Sequence, residues 1–164
     1  MDSTAETRLD ALVRTLRERG HRLTPQRVAI LAALVRDASH PTADELHRRI
    51  LPDFPTTSLA TVYKTLALLK EHGEVLELAT DGLGGKAGPG CRFDGRRPRP
   101  HPHFVCTRCG KISDPDDSPE NAQAEDQLTA LVDRLARRSG HMVDSVRLDL
   151  FGLCQDCRQS CCQD

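Results

Sequence analysis

Two pairs of cysteines, each with two residues between its members, constrain this chain more than any other feature. The pairs are Cys106–Cys109 and Cys154–Cys157. Two intervening residues allow a tight turn to point both thiolates at one ion, and two such turns complete the tetrahedron of a structural zinc site. A redox dithiol pair is the alternative. We expect a closed, structural zinc site, because four thiolates leave no coordination position for a substrate.

The composition favours a fold that needs such a metal. The chain has 164 residues, of which 38% are hydrophobic and 3% aromatic, with no tryptophan. Bound zinc can contribute about 10–16 kcal/mol of apparent free energy to folding a small domain. The sequence contains no apolar stretch of membrane-spanning length and no signal-peptide pattern at its start. We therefore expect a cytoplasmic protein, in which thiols stay reduced.

The first half of the chain has the periodicity and end signals of short helices. Gly20 and Gly73 are expected helix stops, Thr24 and Thr42 are expected N-caps, and a further helix is expected to start near Ser58. Thr42 begins a capping box, and Pro25 suits the first turn of the helix after Thr24. A short strand follows at 75–78. The first half therefore reads as helices and a small hairpin.

The second half has the pattern of a small mixed unit. Residues 83–90 form a glycine-rich linker after a first domain at 1–82, and a second domain covers 91–164. Strands are expected at RFDG and HFVC, and a helix with a stripe of apolar residues ends near Gly140. Val146, Leu148 and Leu150 alternate with Arg147 and Asp149, which predicts a half-buried strand. The fold class is therefore α+β.

A second group of metal-binding side chains contains no thiolate. His101 and His103 alternate along a strand, so both imidazoles project from the same face. Asp94 lies upstream and Asp114 downstream. Imidazole with carboxylate suits iron, manganese or zinc. A hydrolytic enzyme site and a metal-buffering protein are alternatives, although the sequence has no nucleophile motif and we expect no enzyme.

Six segments of the chain, taken in order, resemble the ferric uptake regulator family. They are HRLTPQRVAILAAL, HPTADELH, SLATVYKTLALLKEHG, RFDG, HPHFVCTRCGKISD and LFGLCQDC. The resemblance implies a winged helix-turn-helix DNA-binding domain followed by a small α/β dimerisation domain. It also implies a homodimeric repressor that binds palindromic double-stranded operator DNA, with structural Zn²⁺ on the four cysteines. No membrane and no small-molecule substrate are expected as partners.

The resemblance also implies a regulatory metal site that joins the two domains. Its ligands map onto His40, Asp94, His101, His103 and Asp114, with Fe²⁺ or Mn²⁺ as the expected metal. His40 lies in the first domain, where it has an alternative role as a helix-start residue. Metal binding to both halves would shift the population towards one arrangement of the DNA-binding domains.

Aspartate at both 94 and 114 resembles the peroxide-sensing branch of the family. In that branch, iron-dependent oxidation would fall on His40 and His101 and would release DNA. A regulator of iron, manganese or zinc uptake without peroxide sensing is the alternative. A second metal site of many relatives is expected to be absent, because Pro100, Pro102 and Val146 stand where histidines would be needed.

The helix at 58–72 is expected to enter the DNA major groove. Leu59, Val62 and Leu66 point inward, which leaves five residues nearer the outer face: Ser58, Thr61, Tyr63, Lys64 and Thr65. Tyr63 has an alternative role in packing against the wing. Phosphate contacts are expected from four arginines: Arg14, Arg17, Arg19 and Arg22. The sequence leaves the roles of Cys91, Cys161 and Cys162 open.

Overall fold

The structure is a computed structural model that describes residues 3–79, 91–96, 101–115, 118–143 and 146–160. The expected linker at 83–90 lies outside these ranges, as do Pro100, Cys161 and Cys162. The described residues divide between two compact units, and no helix among them is both long and apolar enough to cross a bilayer.

The first unit consists of four helices and a two-stranded antiparallel hairpin. Its elements are α1 (Ser3–Glu18), α2 (Pro25–Arg36), α3 (Ala43–Ile50), α4 (Leu59–Glu71), β1 (Leu76–Ala79) and β2 (Cys91–Asp94). In the structure, β2 belongs to this first compact unit, whereas the domain boundary expected from the sequence places it in the second domain. The reason is that β2 pairs with β1, from Leu76 opposite Asp94 to Ala79 opposite Cys91.

The helices begin and end where the cap residues predict. The side chains of Thr24, Thr42 and Ser58 each accept a hydrogen bond from the backbone N–H three residues ahead. Thr42 and Glu45 form the complete capping box. Each cap satisfies a donor that the first helical turn leaves without an intrahelical partner, and removing one costs about 1 kcal/mol. The first helix and α4 are followed by glycines with φ of +79° and +68°.

The hairpin is attached to the helices through its second strand. The Phe93 amide donates to the Pro41 carbonyl oxygen at 3.0 Å, and Phe93 packs in the same core as α1–α4. The Arg8 side chain of α1 donates to the backbone oxygens of Gly95 and Glu74 and pairs with the Glu74 carboxylate. These contacts fix the hairpin beside the helices, which is the arrangement of a wing.

The second unit is a three-stranded sheet with two helices. Its elements are β3 (Pro102–Cys106), β4 (Ile112–Ser113), α5 (Pro119–Ser139), β5 (Leu148–Gly152) and α6 (Gln155–Gln159). The strand order is β4-β3-β5, with β3 and β4 antiparallel and β3 and β5 parallel. Neither β4 nor α6 is predicted from the sequence, because both are too short to show a periodicity.

The burial of β5 differs from the sequence prediction. Asp149 is partly buried, with a side chain 13% exposed, whereas Leu150 is 41% exposed. The register explains the difference, because Asp149 lies opposite buried His103 and Leu150 lies opposite exposed Phe104. The apolar stripe of α5 is likewise uncovered, with Leu131 and Leu135 exposed. In α5 and β5, the apolar periodicity of the sequence therefore corresponds to a face that the described residues leave exposed.

Candidate metal centres

The four predicted cysteines converge at one end of the second unit. Their Sγ atoms all lie within 4.8 Å of one another, in a cluster formed by Cys106, Cys109, Cys154 and Cys157. The sulfurs of Cys109 and Cys154 are 3.8 Å apart. Zinc–sulfur bonds of about 2.3 Å in a tetrahedron require sulfur–sulfur distances of about 3.8 Å. The donor set and its spacing therefore fit a tetrahedral zinc ion.

Strand pairing brings the two cysteine pairs together. Cys106 ends β3 and lies opposite Gly152, which ends the parallel strand β5. The two strands therefore terminate at the same end of the sheet. Gly110 adopts φ of +73° and its amide donates to the Cys106 carbonyl oxygen at 2.9 Å, which closes the first knuckle. Only glycine takes this conformation without strain. Cys154 caps α6, and Cys157 lies in the first turn of that helix.

The thiols have unequal proton affinities. The backbone N–H of Cys154 donates to Cys106 Sγ at 3.4 Å and, with other backbone donors, lowers the pKa of Cys106 to about 6. Hydrogen bonding with the Cys154 thiol and burial together raise the pKa of Cys157 to about 12. Crowding of four sulfurs thus favours a mixture of thiol and thiolate until a cation compensates the charge.

A second cluster lies at the other end of the β3–β4 hairpin. Asp114 Oδ1 is 3.4 Å from His101 Nε2 and 3.8 Å from His103 Nε2. Both histidines are buried, and their ring centroids are 4.5 Å apart. The antiparallel pair Phe104–Ser113 places Asp114 opposite His103. Two imidazoles and a carboxylate with ligand atoms within 4.8 Å of one another fit a divalent transition-metal ion.

His40 and Asp94 both lie in the first unit, on segments that are hydrogen-bonded to each other. Residue 42 forms a β-bridge with Arg92, whose guanidinium donates to the His40 carbonyl oxygen at 2.9 Å. Asp94 Oδ1 accepts from the Arg96 amide. His40 is buried and has φ of +54° immediately before Pro41. This left-handed conformation is uncommon for a residue with a side chain and occurs frequently at functional sites.

Most of the predicted DNA-contacting residues are accessible on the first unit. Ser58, Lys64 and Arg19 are exposed, and Tyr63 is half exposed. Tyr63 also lines a shallow groove with Phe93 of the hairpin, as the wing-packing alternative requires. Arg19 contacts the ring of His72. Thr61 is partly buried.

Thr65 is fully buried, which corrects the expectation that it lies on the outer face. Its hydroxyl donates to the Thr61 carbonyl oxygen at 2.9 Å, so the helix itself satisfies the polar group. A threonine can be buried in this way without a partner outside its own helix.

The sequence analysis missed Asp149, whose Oδ1 atom lies 3.9 Å from His103 Nδ1. The only sequence signal that bears on Asp149 is the alternation of polar and apolar residues in β5. Asp149 falls between two leucines, and alternation alone assigns such a residue to solvent. Recognising its position required the β3–β5 register, which the sequence does not reveal.

Comparisons with known proteins identify the family. Residues 18–142 match the model of the ferric uptake regulator family. The peroxide-responsive repressor PerR of Staphylococcus saprophyticus is 36% identical over 155 residues, covering 94% of this chain and 95% of that protein. The structure of the Campylobacter jejuni peroxide stress regulator is 31% identical with a TM-score of 0.62, covering 91% and 98% of the two chains.

A third comparison extends the likeness in fold. The ferric uptake regulator Fur of Helicobacter pylori, described as having three functional metal-binding sites, aligns with a TM-score of 0.66 at 24% identity. That alignment covers 94% of this chain and 93% of the other. The family match and the extent of these similarities show that the chain belongs to the ferric uptake regulator family.

Proposed function

We propose that this protein is a metal-dependent, DNA-binding transcriptional repressor that responds to peroxide. The observation that carries the proposal is the separation of two metal-binding clusters with different donors. Four thiolates suit a permanent zinc ion, whereas two imidazoles and a carboxylate suit a metal that exchanges. In a repressor that senses metal, this division would let one site hold the fold while the other varies in occupancy.

The cysteine cluster is the proposed structural zinc site. Zinc there would join the β3–β4 turn to the start of α6, which are otherwise linked by strand pairing and a few hydrogen bonds. Few side chains in the described part of this unit are buried, and α5 contributes none. The metal would therefore supply stability that apolar burial does not.

The proposed regulatory site consists of His101, His103 and Asp114, completed by His40 and Asp94 from the first unit. Fe²⁺ or Mn²⁺ suits these nitrogen and oxygen ligands. The left-handed backbone of His40 supports a functional role, since strain of this kind persists where a site requires it. Ligands from two units would make the metal favour one arrangement of the units over others.

DNA binding is proposed for the exposed face of α4 and the basic end of α1. Ser58, Thr61, Tyr63 and Lys64 are the expected groove contacts, and Arg19 is an expected phosphate contact. The hairpin fixed beside the helices supports this assignment, because a winged helix presents its second helix-turn-helix element to the major groove. Lys64 would bind phosphate as a point charge rather than read a guanine through two hydrogen bonds.

Homodimer formation is proposed for the second unit. Phe104, Leu150 and Phe151 are 41–54% exposed on neighbouring strands, and Leu131 and Leu135 are exposed on α5. Large apolar side chains exposed in this number within one unit are typical of a surface that a second protein covers. A symmetric dimer would bury them and would match the two half-sites of a palindromic operator.

Peroxide sensing is supported by two observations. The similar staphylococcal repressors are named for their response to peroxide, and the proposed carboxylate ligands here are aspartates. Ferrous iron would supply the one-electron chemistry through which peroxide adds oxygen to a neighbouring imidazole. His40 and His101 are the side chains expected to gain that oxygen. Loss of an imidazole ligand would weaken metal binding and release DNA.

A gel-shift experiment tests the repressor assignment. Zinc-loaded protein is mixed at physiological salt with an AT-rich palindromic duplex, with and without Mn²⁺, alongside His101→Ala. The wild type should bind DNA in the presence of Mn²⁺, and His101→Ala should fold but lose this response. A hydrolase or a metal buffer would show no metal-dependent shift, and that result would remove the repressor assignment.

A second arm tests the signal. Protein loaded with Fe²⁺ or Mn²⁺ is treated with peroxide, followed by DNA binding and mass spectrometry of His40 and His101. Iron-specific release of DNA with added oxygen mass is the expected result. Unchanged binding would instead indicate a regulator of metal uptake.

A further inference from the structure

The side chain of Asp149 faces the edge of His103 that points away from the proposed metal. The two residues are register partners on the parallel strands β3 and β5, so their side chains lie on one face of the sheet. Both side chains are largely buried, 3% exposed for His103 and 13% for Asp149. Their closest approach is 3.9 Å, between His103 Nδ1 and Asp149 Oδ1.

The two ring nitrogens of His103 face different carboxylates. Nε2 faces Asp114 at 3.8 Å, and Asp114 is also 3.4 Å from His101 Nε2. The metal-binding atoms therefore gather on the Nε2 side. Among the described residues, the group of ligand atoms that lie within 4.8 Å of one another does not include Asp149. Its place on the Nδ1 side fits a residue that acts on the ligand rather than on the metal.

Asp149 is itself held in place by a neighbouring cation. Arg147 Nε is 2.6 Å from Asp149 Oδ2, and Arg147 lies immediately before β5 begins. The other oxygen, Oδ1, is buried and accepts no hydrogen bond within the described part of the chain. A buried carboxylate oxygen without a donor is costly. His103 Nδ1 is the ring nitrogen that Oδ1 faces, and a proton on Nδ1 could be donated to it once a small rotation about the soft χ2 torsion of aspartate shortens the 3.9 Å separation.

We infer that Asp149 is a positioning residue for the proposed regulatory metal. By accepting the Nδ1–H of His103, Asp149 selects the tautomer in which the Nε2 lone pair is free for a metal ion. Carboxylates that accept from the second nitrogen of a ligand histidine orient the ring and strengthen its donor atom. Arg147 positions the carboxylate in turn. This inference rests on the proposed function, because it assumes that His103 Nε2 binds the metal.

The first test measures Mn²⁺ affinity in zinc-loaded protein by calorimetry. Asp149→Ala should raise the dissociation constant about 10–100-fold while zinc content and thermal unfolding of the Mn²⁺-free protein stay unchanged. Arg147→Ala, which keeps the carboxylate but loosens it, should have a smaller effect. Asp133→Ala is the matched control, because it removes one negative charge from an exposed position on α5. Unchanged affinity in Asp149→Ala would overturn the inference.

The second test reads the tautomer of His103 without any regulatory metal. Long-range nitrogen–proton NMR of the zinc-loaded protein, assigned with His103→Asn, should show Nδ1 protonated in the wild type. In Asp149→Ala the proton should shift to Nε2, and a merely structural role would leave this pattern unchanged. If the wild type binds no Mn²⁺ at all, the proposed function fails. If it binds and the tautomer does not respond to Asp149, only the positioning role fails.

Discussion

The amide of Phe93 donates to the carbonyl oxygen of Pro41 at 3.0 Å, so the loop before α3 is hydrogen-bonded to the second strand of the hairpin. His40 precedes the acceptor and Asp94 follows the donor. Two proposed ligands from distant parts of the sequence are thereby fixed by one backbone contact. A change in either segment should affect the other. Position 40 is the one we choose for testing this by substitution.

Substitution of His40 should separate backbone strain from ligand loss. His40→Ala and His40→Gly both remove the imidazole, so both should lose metal-dependent DNA binding. His40→Gly should be more stable than His40→Ala by about 1 kcal/mol, because only glycine adopts φ of +54° without strain. Urea unfolding of the two variants without regulatory metal measures the difference. Equal stabilities would show that the left-handed conformation is not retained in solution.

Gly95 should tolerate no side chain. A Cβ atom there would lie 2.5 Å from Leu34 Cγ of α2, well inside contact distance. We expect Gly95→Ala to lower the free energy of unfolding by about 1–3 kcal/mol, the usual cost of overpacking. In a protein that already carries Leu34→Ala, the Gly95→Ala substitution should be nearly neutral, which a double-mutant cycle by thermal unfolding would detect. Additive losses in the double variant would contradict the proposed clash.

Removing one cysteine ligand should eliminate the structural zinc and destabilise the second unit. Cys106→Ser is expected to reduce bound zinc from one per chain to none and to abolish the dimer, because three thiolates close the site poorly. Cys91→Ser is the matched control, since Cys91 lies outside the cluster. Zinc analysis and size-exclusion chromatography report both properties. A stable, zinc-free Cys106→Ser dimer would exclude a structural role for the metal.

Lys64 should contribute to DNA affinity through phosphate rather than through sequence. Lys64→Ala is expected to weaken specific and nonspecific binding alike and to reduce the salt dependence by about one released ion per contact. Lys111→Ala removes the same charge from an exposed position in the second unit and should leave both unchanged. A Lys64→Ala variant that loses only specific binding would indicate base recognition instead.

Local structure was predictable where a single residue determines it. Thr24 and Thr42 cap their helices as their sequence context predicts, because the hydrogen bond involved spans only three residues, and α4 begins beside Ser58 as expected. The convergence of the four cysteines was also predictable, since the metal chemistry that the spacing indicates requires it.

Burial was less predictable, because it depends on partners distant in sequence. Thr65 can be buried because its hydroxyl bonds within its own helix, and Leu150 is exposed because β5 pairs with β3 in the observed register. Asp149 shows the same dependence. Its spacing from the leucines assigns it to solvent, whereas the register places it against His103. Site residues that act on other side chains are therefore the hardest to find from sequence.

The most direct measurement of coupling between the proposed regulatory metal site and the proposed DNA-binding surface is a pair of titrations on the same zinc-loaded protein. Fluorescence anisotropy gives the operator affinity with and without Mn²⁺, and calorimetry gives the Mn²⁺ affinity with and without operator. Both ratios should be equal, since coupling between two binding equilibria is reciprocal, and should lie at about 5–150-fold. His101→Ala should reduce both to one. Operator affinity that does not change with Mn²⁺ in the wild type would contradict a metal-dependent repressor.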